Sequence, residues 1–227
     1  MTVAFIPTSY LKRNYNVLGH FYSLHVPDTE PLKCRSVLEI TSKTTDPKPV
    51  TDAVFVMMNP GSSRPVEEAD YLVSSREICE MEVKLVPAVP DTTQYQLMRI
   101  MHYTGWQHVR VINLSDLRDS QSGSFAQRFT QLERDGGSAS HSVFSLERSS
   151  ELKRRLARKP SGPIVCAWGV SNDLNPLIER ASGILASESG LTGLEKPGRP
   201  GKYFHPLPLL QSQKEQWVIQ MLGRLNA

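Results

Sequence analysis

The chain has little cysteine. Cys34, Cys79 and Cys166 are odd in number and far apart, which argues against a disulfide framework and excludes a four-cysteine zinc or iron–sulfur site built from this chain alone. No apolar run approaches the length needed to cross a bilayer. Met1-Thr2-Val3-Ala4-Phe5 lacks a charged segment followed by a long apolar core, so no signal peptide is expected. Charge of either sign is not in large excess: the net value is +3, which permits a polyanionic partner without demanding one. A cytoplasmic, reducing setting is the expectation, with no membrane and no metal.

What is present suffices for a core. At 227 residues and 39% hydrophobic, one substantial hydrophobic interior and one domain, 1–227, are expected. The chain is organised around Ala53-Val54-Phe55-Val56-Met57-Met58, an apolar run that ends in Asn59-Pro60-Gly61. Such a run reads as a strand buried on both faces of an α/β sheet. Pro60 and Gly61 turn the chain, and ligands in such sheets gather beyond the carboxyl ends of strands, where Asn59 stands. Taken alone, Asn59 is better read as a turn-capping side chain.

Residues 1–52 read as a β layer preceding the main sheet, with strands over 21–26 and 36–40, and no chemistry is assigned to His20 or His25. Residues 44–50 read as a loop. Glu67, Glu68 and Asp70 read as a solvated acidic face. The proline-rich stretch 86–93 stiffens the approach to a helix beginning near Gln94. Asp91, Thr92 and Thr93 offer capping oxygens there, or hydroxyls and amides to a phosphate.

Val109-Arg110-Val111-Ile112 is a second core strand, ending at Asn113. Residues 120–150 read as a polar loop or insertion, and 151–159 as a basic helix. The third strand, Pro163-Ile164-Val165-Cys166-Ala167, ends at Trp168-Gly169, with Cys166 inside it as a small hydrophobe. The loop 195–202 carries Lys196, Arg199 and Lys202, which suit contact with a nucleic-acid backbone or simply solvent. Trp217, Val218, Met221, Leu222 and Leu225 share one face of a closing amphipathic helix.

Strands and helices thus alternate, and Asn59, Asn113, Trp168-Gly169 and His205 follow in order at expected strand ends. This ordered set resembles the uracil-DNA glycosylase superfamily. Met58-Asn59-Pro60-Gly61 is similar to the water-activating motif of its single-strand-selective and thymine-DNA glycosylase branches. Ile112-Asn113-Leu114 resembles the base-reading strand end, Val165-Cys166-Ala167-Trp168-Gly169 a core strand, and His205-Pro206-Leu207-Pro208-Leu209 the minor-groove loop. Residues 86–93 resemble the phosphate loop. The series is also similar to a family of small bacterial proteins known only as a domain of unknown function. The match runs from about Ala53 to Leu210 and rests on order and spacing.

The resemblance implies a mostly parallel central sheet flanked by helices, with the N-terminal β segment as an extension. It implies a monofunctional DNA glycosylase, without cofactor or metal, that leaves an abasic site in repair or in defence against phages. Asn59 would position the water and His205 would stabilise the departing base. Asn113 would hold the flipped base, with Tyr71 as the candidate stacking aromatic. Thr92, Thr93, Lys196, Arg199 and Lys202 would meet DNA, and Leu209 would fill the vacated stack. Gly61 replaces a tyrosine of the uracil-specific branch, which implies tolerance of 5-substituted pyrimidines. Met57, Leu207 and Leu210 depart from the family's glycine and serines, and Asn in place of Asp at 59 implies weak activity on uracil. A monomer is expected. The alternative is a non-catalytic nucleic-acid or nucleotide-binding module with the same fold.

Overall fold

A computed structural model describes residues 3–27, 30–44, 50–68, 71–136 and 139–226. Asp70, Gly137 and Asp46-Pro47-Lys48-Pro49 of the expected loop lie outside the described residues.

The strand Ala53–Met57 (β3 in chain order) is buried at every position, and the physical reason is a core on each face. Val54 and Val56 belong to one hydrophobic cluster, while Ala53, Phe55 and Met57 belong to the other. A period of two sends alternate side chains to opposite faces, so a continuous apolar run is what a doubly covered strand requires.

β3 pairs in parallel with His108–Asn113 (β7) on one side and Ile164–Ala167 (β8) on the other. Leu191–Gly193 (β9) extends the parallel set beyond β8. On the far side of β7 come Leu32–Ser42 (β2), antiparallel to β7, and Tyr15–His25 (β1), antiparallel to β2. Val86–Val89 (β6) and Arg64–Pro65 (β4) follow them, and Leu72–Ser74 (β5) pairs with β1. The result is a nine-stranded mixed sheet.

Two expectations are corrected here. The sheet is mixed rather than mostly parallel, and the N-terminal β segment is two long strands of that same sheet, not a preceding layer. β1 and β2 carry polar residues that break the apolar pattern, so only their most apolar stretches are legible in the sequence.

Helices cover both faces. Thr8–Asn14 (α1), Thr92–Thr104 (α2) and Gln211–Leu225 (α6) supply Leu11, Leu97, Met101, Trp217 and Met221 to the cluster around Phe55. Ser122–Gly136 (α3), Ser149–Leu156 (α4) and Asn175–Leu185 (α5) supply Phe125, Phe129, Leu152, Leu177 and Ile178 to the cluster around Val54. Within the expected loop 120–150, Ser122–Gly136 is therefore a helix. Phe125 and Phe129, one helical turn apart, anchor α3 in an otherwise polar background, and Val143 and Phe144 are buried with them. The prolines of 86–93 sit partly in β6, at the margin of the sheet where a missing amide is tolerated.

From β3 the chain crosses through α2 to β7, then through α3 and α4 on the other face to β8 on the opposite side of β3. Strand order reverses at β3, and its carboxyl end is where such folds hold ligands. Among the described residues no helix is long and apolar enough to cross a membrane.

Candidate functional site

The turn after β3 is fixed by its neighbour. The Leu114 amide donates to the Met57 carbonyl at 2.8 Å and the Ser115 amide to Met58 at 3.3 Å. Asn59 then donates from Nδ2 to the carbonyls of Leu117, at 3.3 Å, and Asp119, at 2.7 Å. Two carbonyl acceptors determine which amide atom faces them, so Oδ1 is left as an acceptor with no partner among the described residues. The 115–119 turn that supplies these carbonyls is itself braced. Ser115 Oγ lies 2.8 Å from His141 Nδ1, His141 Nε2 lies 2.9 Å from Glu133 Oε1, and Arg180 clamps both oxygens of Glu133. Ser115 and His141 are fully buried, so this Ser–His–carboxylate chain has no access to a substrate and serves as a brace.

The opposite wall comes from the end of the chain. Buried Gln96 on α2 donates from Nε2 to the Pro206 carbonyl at 3.0 Å and to the Lys214 carbonyl at 2.9 Å, which ties the 205–207 loop to the helix. Trp217 Nε1 donates to the Phe204 carbonyl at 3.0 Å. His205 Nδ1 accepts the Leu207 amide at 3.2 Å. An acceptor nitrogen carries no proton, so the ring hydrogen sits on Nε2, which has no partner among the described residues. Burial pushes the His205 pKa down to about 4, and the ring is neutral at physiological pH.

Asn59 and His205 line one cavity of about 170 Å³, together with Arg35, Met57, Gly61, Asp91, Thr92, Thr93, Asp119 and Leu207. Its volume is below the roughly 300 Å³ at which drug-sized sites begin, and it suits a single small ring. Asp91 is the N-cap of α2, accepting the Thr93 and Gln94 amides on Oδ1. Its Oδ2 is turned toward Gly61. Burial raises the Asp91 pKa, opposed by Arg35. Arg35, on β2, is 2% exposed; burial lowers its pKa to about 10, so it remains a cation.

Several predicted residues stand elsewhere. Asn113 is buried and not part of the cavity wall; its Oδ1 accepts from Arg35 Nη2 at 3.0 Å, so Arg35 faces the cavity in its place. Tyr71 is not near the pair. It lines a separate hollow of about 520 Å³ with Phe21, Glu67, Glu68 and Lys84, and its hydroxyl donates to the Glu82 carbonyl at 2.9 Å and lies 2.8 Å from His20 Nε2. Lys202 is turned inward: Nζ donates to the Ser171 carbonyl at 2.6 Å and to Asn175 Oδ1. Arg199 is exposed and Lys196 partly so. Leu209, two residues past the cavity-lining Leu207, is 96% exposed. His205 follows no regular strand; Tyr203 forms isolated bridges with Gly169 and Glu195 instead.

Arg35, Asp91 and Gln96 were not legible as site residues. Arg35 gave no local signal, since it stands one residue before the strand expected over 36–40. Among the described residues no group of three or more His, Cys, Asp or Glu could hold a metal ion. Compared with known proteins, the chain matches no family model, no curated protein and no solved structure. What the fold defines is an α/β protein with one nine-stranded mixed sheet and helices on both faces.

Proposed function

We propose that the protein is a monofunctional DNA glycosylase that removes a flipped, 5-substituted pyrimidine. The observation that carries this reading is the cavity shared by Asn59, with a free acceptor oxygen, and neutral His205, with a free donor nitrogen. In such a reaction the bond between the sugar C1′ and the base N1 breaks, with both electrons leaving on the base and positive charge developing on the sugar. Asn59 Oδ1 accepts a hydrogen from the attacking water and orients it. Asp91 Oδ2 supplies a carboxylate to take the water's proton. His205 Nε2–H donates to the oxygen of the departing base, where negative charge grows.

The target base must leave the stack to reach so small a cavity. Leu209, apolar and fully exposed beside it, is suited to fill the gap. Thr92 and Thr93 at the start of α2, with Lys196 and Arg199, would meet the backbone. A non-catalytic binding module is the second reading, favoured by Asn in place of a carboxylate at position 59.

The test is incubation with oligonucleotides carrying uracil or 5-modified pyrimidines, followed by alkali to cleave abasic sites. Strand cleavage that disappears in Asn59→Ala while DNA binding persists supports the enzyme. Binding without cleavage on every substrate supports the module and ends the proposal.

A further inference from the structure

Gln96, Arg99 and Tyr103 stand three and four residues apart on α2, a spacing that puts them on one helix face. The segment ahead of α1 runs along this face. Tyr103 donates to the Ala4 carbonyl, and the Arg99 guanidinium lies 3.7 Å from the centre of the Phe5 ring. Arg99 Nε donates to the Ile6 carbonyl at 3.0 Å and Nη1 to Gln96 Oε1 at 2.9 Å. Gln96 Nε2 in turn holds the carbonyls of Pro206 and Lys214. A continuous line of polar contacts therefore joins residues 4–6 to the residue that follows His205.

Arg99 is 4% exposed. Burial lowers its pKa, and Glu215 opposes this without reaching ion-pair distance. Among the described residues its hydrogen-bond partners are two neutral oxygens. For stability alone, an apolar side chain packed under Phe5 would avoid desolvating a cation. It could not satisfy Gln96 Oε1. Gln96 is buried and has spent both amide hydrogens on carbonyls, so its oxygen needs a donor. Without one the amide is penalised in its present place, and the 205–207 loop loses its hold on α2. Trp217 still holds the Phe204 carbonyl, so the loop stays attached before His205 and loosens after it.

We propose that Arg99 is a positioning residue for His205, acting through Gln96, and that residues 4–6 are the strap that holds it in place. His205 shares its cavity with three charged residues: Arg35 from β2, Asp91 ahead of α2 and Asp119 after β7. Its lowered pKa comes from burial, so the ring resists protonation only while the loop keeps it covered. The consequence for rate rests on the glycosylase reading, in which His205 Nε2–H must point at the departing oxygen. The consequence for the ring does not.

The test is NMR of the histidine rings across pH. In wild type, His20 and His205 are both expected to titrate at about 4. In Arg99→Met, His205 should rise by about one or more, toward the ordinary 6.5. His20 is the internal control, because it stacks with Tyr22 in the cluster on the opposite face of the sheet from α2, and it should stay where it is. Arg99→Lys keeps a donor for Gln96 and should bring His205 part of the way back. Phe5→Ala removes only a partly buried ring and should move His205 the same way by less; it carries the comparison if Arg99→Met does not fold. Under the glycosylase reading, Arg99→Met should also lose on the order of tenfold to a hundredfold in abasic-site formation. It should gain an acidic limb above about pH 5 as His205 titrates into range.

An unchanged His205 titration in Arg99→Met, or in Phe5→Ala where that is the variant that folds, overturns the proposal. So does a rise shared equally by His20, which would mark a general loosening of the fold. A shifted His205 alone, with no abasic-site formation by wild type on any oligonucleotide, leaves this inference standing and removes the glycosylase reading. Abasic-site formation by wild type, with His205 unmoved in Arg99→Met, does the reverse.

Discussion

A Cβ added to Gly61 would lie 3.0 Å from Oδ2 of Asp91. Gly61 also has φ of +64°, a conformation that costs an L side chain about 1–2 kcal/mol. The space a missing side chain leaves at this turn is therefore bounded by a carboxylate oxygen and is not open room. Gly61→Ala should lose roughly 1–2 kcal/mol in chemical denaturation.

Asn59→Asp is expected to destabilise the fold despite its similar shape. Asn59 Nδ2 donates to two backbone carbonyls, and a carboxylate there sets oxygen against oxygen. The loss should be about 1–3 kcal/mol at neutral pH. Those acceptors favour the protonated acid and raise its folded-state pKa. The substituted protein should therefore be closest to wild type below the ordinary carboxylate pKa, and fall behind as pH rises through the raised value. Urea melts of both proteins across acid and neutral pH measure this.

His20 and His205 both have pKa values lowered from 6.5 to about 4, chiefly by burial, with Arg155 adding to the effect at His20. Unfolded histidine binds a proton that the folded ring refuses. Their contribution is complete above 6.5 and is lost as pH falls from there toward 4. The loss for each ring is a few kcal/mol, on the order of 1.4 kcal/mol for every pH unit crossed in that window. His20→Gln should flatten the stability profile over the same range. His205 remains neutral at physiological pH, so under the glycosylase reading abasic-site formation should show no limb from it between about pH 5 and 8.

Lys202 and Arg199 should separate cleanly on substitution. Lys202→Ala removes the charged donor to the Ser171 carbonyl and Asn175 Oδ1, with an expected loss of about 1–3 kcal/mol in stability and, under the glycosylase reading, little change in DNA affinity. Arg199→Ala should leave the melting midpoint in place and, under the glycosylase reading, reduce the salt dependence of DNA binding by about one in the slope. Fluorescence anisotropy at several salt concentrations checks both.

Much of the parallel core was legible because β3, β7 and β8 need apolar side chains on both faces, which leaves unbroken runs in the sequence. Asn59 and Asn113 were legible because each terminates such a run. The helix in 120–150 was not, since two phenylalanines a turn apart carry its burial while serine and glycine dominate the composition. β1 and β2 were read too short because their buried polar residues, among them His20, Arg35, Ser36 and Glu39, are satisfied or held by distant partners that no local pattern reveals.

The sequence by itself determined that apolar strands alternate with amphipathic helices, and that asparagines stand where strands end. Local side-chain chemistry and periodicity are enough for that. Only tertiary structure decided that Asn59 and His205 share a wall, that Asn113 is withdrawn behind Arg35, that Tyr71 serves another hollow and that Lys202 points inward. Those outcomes depend on strand order, on the reversal at β3 and on single hydrogen bonds between residues far apart in the chain, none of which is encoded in neighbouring residues.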